Sequence, residues 1–570
     1  MYTINNYKKI IENSVLLLVA LVVGLIVSAV AQMFMIAAKT IFTFIFNNKD
    51  FVLTIEIGTF SLNLLPLIIC IPSSILVALL MYFLKLPRWF GPADTIFATH
   101  VRAGTLDLKG GFGSTLASFI SVCGGASVGV YGPLVHFGAT VSAFFRRLSF
   151  VPKIPHDIII GCGVAAAISA GFGAPLAGII FAHETVLRHF SMKAVTALAI
   201  SSMAANFAAS EINLINPSLL LEQIPFEISD VLPSLTLIGP IAAIVAIVFM
   251  RTILYLSTIP KKIKIQHWQA PVIAGVCCGL IGMIFDEILG IGTDTLMLIM
   301  TTEQNSGYLL ALLIGKLLLT SICVGFGFFG GTYSPALFLG GIVGALVFQL
   351  PIGNLGIEFL PILAVAGMAA VSSSVIGAPV TSIILVLELT GSYEYAIAAT
   401  FPIVICSFIT SRVFGNSLFD KQLISRGVDI TKGREQIHLN EITIESYADK
   451  NFTKFNINTS IDLAIKQMKK DKNTEGYIVS KENKYLGKVM LINLIDKNNK
   501  EILYYIEKKC LVIDPKAKLL EVIKSLTNFV GESIPIVDKK TNEMLGIISE
   551  NDVLDAYLKI SEEINQIEKH

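Results

Sequence analysis

Charge is what this sequence has least of. Asp, Glu, Lys and Arg make up 15% of its 570 residues and nearly cancel, to a formal net charge of +1. So little charge cannot cover the surface of an ordinary soluble domain. The near-zero balance points to no particular partner, and no nucleic-acid partner is expected. Cysteine is also scarce: eight residues, mostly inside apolar stretches, with Cys277 and Cys278 adjacent and no CxxC pair. They read as small buried hydrophobes, not as a disulfide framework or a metal site. His100, His136 and His189 stand isolated, without metal-ligand spacing. No nucleophile–base pair appears, so neither a metal centre nor an enzyme is expected.

What the chain does have is apolar length. Hydrophobic residues make up 54% of it, and the mean hydropathy is +0.71. A helix of ~20 residues crosses the ~30 Å hydrocarbon layer. The runs Ser14 to Ala38, Leu64 to Leu84, Leu232 to Leu256 and Gly307 to Phe329 meet that length. Others are shorter or interrupted by Gly and Pro, which a membrane tolerates only around other helices or a water-filled cavity. Lys8 and Lys9 precede a first run that is too long for a signal peptide, so it reads as a retained span.

The membrane part repeats itself. Gly163 to Glu184 (GVAAAISAGFGAPLAGIIFAHE) matches Gly367 to Glu388 (GMAAVSSSVIGAPVTSIILVLE) at an offset of 204. Gly129 to Gly138 (GVYGPLVHFG) matches Gly331 to Gly340 (GTYSPALFLG) at an offset of 202. The loop from Glu211 to Leu232 lacks Lys and Arg, whereas IPKKIKIQHW after the next long helix is basic. The positive-inside rule places the basic end in the cytoplasm and the loop outside. The two halves then enter from opposite sides, as inverted repeats do. The expected layout is a cytoplasmic N-terminus (1–13), repeat one with its outer loop (14–232), repeat two (233–425), a linker (426–445) and a polar tail (446–570). The tail repeats too. Ile461 to Met468 matches Leu519 to Leu526, and Tyr477 to Ile495 matches Pro535 to Leu554. Each unit reads as helix, strand, turn, strand, helix.

These motifs resemble those of the CLC family of chloride channels and proton/chloride exchangers, over roughly residues 14 to 425, and the tail resembles a CBS-domain pair. The resemblance implies a mostly α, polytopic membrane protein with two inverted-topology repeats of tilted and broken helices and an α/β CBS pair at the C-terminus. It implies a homodimer in the plasma (bacterial inner) membrane, both termini cytoplasmic, carrying chloride or a similar small anion. Helix N-termini offer free backbone N–H groups and about half a unit of positive charge, which hold an anion without trapping it. By resemblance, Gly129, Val130, Tyr131, Gly132 and Pro133 belong to an outer site, and Gly331, Thr332, Tyr333 and Pro335 to a central one.

The departures from the family pattern matter more. Where the family has the gating glutamate of GREGP, this chain has Tyr131. A carboxylate imitates an anion and carries a proton, whereas a phenol of pKa near 10 does neither at neutral pH. Where the exchangers have the inner proton glutamate, after APLAGIIFAHE, stands Thr185. Pro92 replaces the serine of GSGIP, a change that accompanies nitrate preference in some plant relatives. Phe419 replaces the tyrosine of the last membrane helix, and Tyr333 replaces the phenylalanine of GxFxP. Tyr131 and Tyr333 thus either donate to the anion or merely pack. His183, two positions from Thr185, is a weak candidate for a proton relay. Glu184 and Glu388 are repeat mates expected to anchor backbone near a helix end, and Asp94 reads as an N-cap. In the tail, Ser549 and Asp552 fit the ribose-contacting S/T-x-x-D pattern, while Met490 and Asn493 have lost it. The pair therefore either binds an adenine nucleotide at one site or is a structural module; no cofactor is required. The resulting expectation is passive, proton-uncoupled anion movement. The alternatives are an exchanger with an unusual proton path, a fluoride exporter, and a non-conducting nucleotide-sensing regulator.

Overall fold

The computed structural model describes residues 2–46, 53–57, 60–101, 106–148, 155–212, 226–352, 355–495, 501–507, 510–527 and 529–569. Most of the loop expected to lie outside, 213–225, falls outside these residues. The chain divides into two compact units, Met1–Val428 and Asp429–Lys569.

The first unit is helical. Repeat one holds α1 (Tyr2–Phe46), a short hairpin of β1 (Thr54–Ile57) and β2 (Phe60–Asn63), then α2 (Leu65–Leu84), α3 (Pro92–His100), α4 (Leu108–Cys123), α5 (Tyr131–Arg146), α6 (His156–Phe172), α7 (Pro175–Phe181) and α8 (Met192–Ile212). Repeat two holds α9 (Ile228–Leu256), α10 (Ile259–Lys262), α11 (Ala270–Gly282), α12 (Thr293–Thr301), α13 (Ser306–Phe326), α14 (Tyr333–Phe348), α15 (Leu360–Ile376), α16 (Pro379–Thr390), α17 (Tyr393–Val413) and α18 (Leu418–Ile424). Among the described residues, seven helical stretches are long and apolar enough to cross a membrane.

The repeat dictates the packing. Helices α6 and α15 are apolar all round and almost wholly buried, as expected of helices enclosed by others. Each crosses its predecessor at a pair of glycines. A Cβ on Gly138 would come 2.1 Å from the Gly163 carbonyl oxygen, and one on Gly340 would come 2.3 Å from that of Gly367. Only glycine lets the backbones approach this closely. Both helices then end at a glycine in the left-handed region, Gly173 (φ 65°) and Gly377 (φ 78°). The next helices, α7 and α16, both start on proline, which fits the first turn because its missing N–H would find no helical acceptor there. Helix α7 continues as a π-helical turn, Ala182–Leu187.

The second unit is α/β. It contains α19 (Arg434–Glu441), β3 (Lys454–Asn456), α20 (Ile461–Asp471), β4 (Glu475–Val479), β5 (Tyr485–Met490), α21 (Leu491–Leu494), α22 (Leu519–Leu526), β6 (Ser533–Val537), β7 (Met544–Ser549) and α23 (Glu550–Lys569). Strand β4 pairs parallel with β3 and antiparallel with β5, and β6 pairs antiparallel with β7. The segment 426–445 is not a free linker. Leu439 of α19 and Ile444 are buried in the core with Ile534 and Ile548. The alternation Ile442, Ile444 and the buried Ile437 and Leu439 gave this segment an apolar face that its polar composition obscured.

Candidate anion pathway

The two halves meet at matching residues. The Gly129 N–H donates to the Gly331 carbonyl at 2.7 Å, and the Gly331 N–H donates back to Gly129 at 2.6 Å. These glycines are repeat mates, so the bridge lies on the local two-fold relation between the repeats. Gly129 has no room for a side chain, since its Cβ would come 2.5 Å from Ser334 Oγ.

From this bridge α5 and α14 begin, at Tyr131 and Tyr333. Their first-turn N–H groups have no acceptor within their own helices. Both N-termini border a cavity of about 390 Å³. Of the residues singled out in the sequence, Pro92, Tyr131, Gly132, Pro133, Gly331, Thr332, Tyr333 and Phe419 line it, whereas Gly129, Val130 and Pro335 do not. The amides of Gly129 and Gly331 are spent on the bridge, and the Val130 side chain is buried.

Aromatic rings fill the space between the two helix ends. Tyr131 stacks on Phe172 with ring centroids 3.7 Å apart, and both rings meet Tyr333 edge-on, at 6.0 and 5.4 Å. Gly171 makes the room, because a Cβ there would touch the Tyr131 ring at 3.0 Å. The two phenols differ in their surroundings. Tyr333 borders a small space with Ser372 and Ser382, while the Tyr131 hydroxyl meets no partner among the described residues. Phe172 and Gly171 were not picked out in the sequence. The available signal was their mismatch with the repeat mates Val375 and Ile376.

The carboxylates are structural. Glu184 accepts from the N–H groups of Val380 and Thr381, at 2.9 and 2.8 Å, and from Thr381 Oγ1 at 2.6 Å. Glu388 accepts from the N–H groups of Leu176 and Ala177, both at 2.8 Å. Each repeat thus caps the first turn of the other repeat's proline-started helix, the favourable place for a negative charge. Thr185 is buried in the π-helical turn, and its hydroxyl has no partner among the described residues. His183 Nδ1 faces the His189 carbonyl at 2.9 Å, and its ring stacks on Phe190.

Asp94 departs from its expected place. Gly91 is the N-cap of α3, and Asp94 sits in the third helical position, reaching back to the Gly91 N–H at 3.0 Å. Its carboxylate also pairs with Arg88 and with Arg426, the latter at 3.0 Å. These arginines lie 6 and 332 residues away in sequence, so Arg426 carried no local signal. Lys316 also carries a sequence signal, since a lone lysine within an apolar helix is a candidate by default. It is fully buried and donates to the carbonyls of Ile288 and Gly290, at 3.0 and 2.8 Å. Among the described residues, no cluster of three or more His, Cys, Asp or Glu could hold a metal.

Comparison with known proteins agrees with this architecture. The family model described as voltage gated chloride channel matches residues 73–412. The chain belongs to that family. This CLC protein is 27% identical over 332 residues to the H(+)/Cl(-) exchange transporter ClcA of Vibrio cholerae, covering 55% of this chain and 68% of that relative. Its fold is similar to that of a slow cyanobacterial Cl-/H+ antiporter (TM-score 0.63, 19% identity, 72% of this chain and 98% of the other). It is also similar to that of a eukaryotic CLC transporter (TM-score 0.60, 13% identity, 94% and 98%). It is therefore a polytopic membrane protein of an anion-transporting family. A CBS-domain model matches residues 500–559.

In the CBS unit, Ser549 and Asp552 bond to each other. The Ser549 N–H and hydroxyl donate to Asp552 Oδ2 at 2.9 and 2.7 Å, and the Asp552 N–H donates back at 3.2 Å, closing the start of α23. A buried polar network joins the two CBS repeats. Glu475 pairs with Lys488 and accepts from the N–H groups of Glu532 and Ser533, both at 3.0 Å. Tyr477 Oη lies 2.6 Å from Ser533 Oγ, and burial holds its phenol above the ordinary value.

Proposed function

We propose that this CLC protein conducts chloride or a similar small anion passively through the cavity beneath Tyr131 and Tyr333, without moving protons. The observation that carries this reading is the residue pair at the two proton positions, Tyr131 and Thr185. Neither side chain changes protonation near neutral pH. The cluster of three aromatic rings supports slow conduction, because an anion passing them must displace an aromatic side chain. We further propose a homodimer in the plasma membrane with both termini in the cytoplasm, and an adenine nucleotide at the CBS unit, where Ser549 and Asp552 would have to release each other.

The names of relatives such as ClcA favour exchange as the second reading. Liposomes containing the purified protein separate the two. A chloride gradient should drive chloride efflux and leave the internal pH unchanged once the membrane potential is clamped. Uphill proton movement driven by chloride would overturn the proposal, and nitrate and fluoride gradients in the same assay rank the anions.

A further inference from the structure

We propose that Arg426 is a specificity-determining residue of the anion pathway, acting by neutralising Asp94. The inference rests on an anion entering the cavity described above, the part of the proposed function that binding alone can test. Asp94 is the one carboxylate among the described residues lining that cavity, against Arg88, Lys261 and Arg426. It belongs to the first turn of α3, whose Pro92 and Ala93 also line the cavity. A helix start beside an anion path offers positive potential, and a bare carboxylate in that turn would cancel it and repel the anion. The Asp94 side chain is 9% exposed, so water screens it poorly.

The screening comes from two arginines. Arg88 Nη1 donates to Asp94 Oδ2 at 2.9 Å, and its Nη2 also binds Oδ1. Arg426 Nη1 donates to Oδ1 at 3.0 Å. Two guanidinium groups on one carboxylate leave a net positive cluster facing the anion. Arg88 also lies over the Phe90 ring, 4.6 Å from its centroid, and comes from the short segment between α2 and α3. Arg426 instead arrives from beyond α18, two residues before the membrane unit ends at Val428. The net positive charge of the cluster, which Arg88 alone would only bring to zero, therefore depends on a residue at the far end of the membrane sequence.

Full-length protein in liposomes tests this with a double-mutant cycle. Arg426→Gln should lower chloride flux and chloride affinity by about tenfold, the size of effect expected from a partly screened charge at close range. Arg426→Lys should retain most of both. Adding Asp94→Asn to Arg426→Gln should recover flux and affinity to within about threefold of the parent, because the repelling charge is gone. The loss in Arg426→Gln should also shrink as ionic strength is raised with impermeant ions. A double variant as slow as Arg426→Gln would overturn the inference, as would unchanged chloride binding in Arg426→Gln. Chloride titration calorimetry keeps the two proposals apart. Parent protein without flux, but with chloride binding that depends on Arg426, would sink the conduction reading and leave this inference standing.

Discussion

The two membrane repeats share one scaffold and differ at its centre. They cross at matching glycines (Gly138 with Gly163, Gly340 with Gly367), bridge at Gly129 and Gly331, and cap each other through Glu184 and Glu388. Around the two phenols the symmetry fails. Repeat one has Gly171 and Phe172, which make room for Tyr131 and stack against it; repeat two has Val375 and Ile376. Repeat two has Ser372 beside Tyr333, where repeat one has Ile168. What both halves need in order to fold has been kept, and what lines the pathway has diverged. Tyr131 is held by ring contacts alone, so it is the ring expected to move.

Six substitutions, at five positions, break or sharpen this comparison. The largest effect is expected at the reciprocal caps. Glu184→Ala removes three hydrogen bonds to a charged acceptor and Glu388→Ala removes two. Losses of about 3 and 2 kcal/mol follow, readable as apparent melting temperatures in detergent. Equal losses would mean that the Thr381 hydroxyl adds nothing. Next comes the plug. Tyr131→Ala should raise chloride flux about tenfold, which corresponds to ~1.4 kcal/mol off the barrier. Tyr131→Phe should stay within about twofold of the parent, because the hydroxyl it removes has no protein partner. A clear fall in Tyr131→Phe would instead show the hydroxyl binding the anion.

A smaller change is expected from making repeat one more like repeat two. Gly171→Val pushes against the Tyr131 ring, where a Cβ alone would already stand at 3.0 Å. Flux should shift about threefold, a barrier change of well under 1 kcal/mol, and only when Tyr131 is present. The same shift in a Tyr131→Ala background would assign the effect to α6 itself. The smallest effect belongs to Ser372→Ala, which removes a hydroxyl from the small space beside Tyr333. Its flux should change by less than about twofold, since one neutral hydrogen bond contributes only ~1 kcal/mol and a local water can replace it. A Ser372→Ala flux that matched Tyr131→Ala would mean that Tyr333 is the gate.

How much of this was legible in the sequence depended on the range of the interaction. The repeat gave the helix order, and the mates Glu184 and Glu388 suggested anchoring of helix ends, because symmetric carboxylates at membrane depth need symmetric partners. Which amides they cap was not legible, since each acceptor lies about 200 residues from its donors. Asp94 was read as a local cap because Pro92 marks a helix start; its pairing with Arg426 across 332 residues left no local trace. The polarity of 426–445 reads as a linker, yet Arg426 to Val428 belong to the membrane unit, and Leu439 and Ile444 are buried in the core of the second.

By itself, the sequence determined an apolar chain of two matched halves with a paired α/β tail, and it placed Tyr131 and Thr185 where carboxylates would carry protons. Those conclusions rest on composition, repeat spacing and side-chain chemistry, which do not depend on packing. Tertiary structure alone decided that Tyr131 stacks on Phe172 in the space left by Gly171, that Gly129 bonds to Gly331, and that the distant Arg426 joins Arg88 in neutralising Asp94. Each of these joins residues brought together only when the helices pack, because a contact between distant segments is a property of the folded core and not of any local stretch of chain.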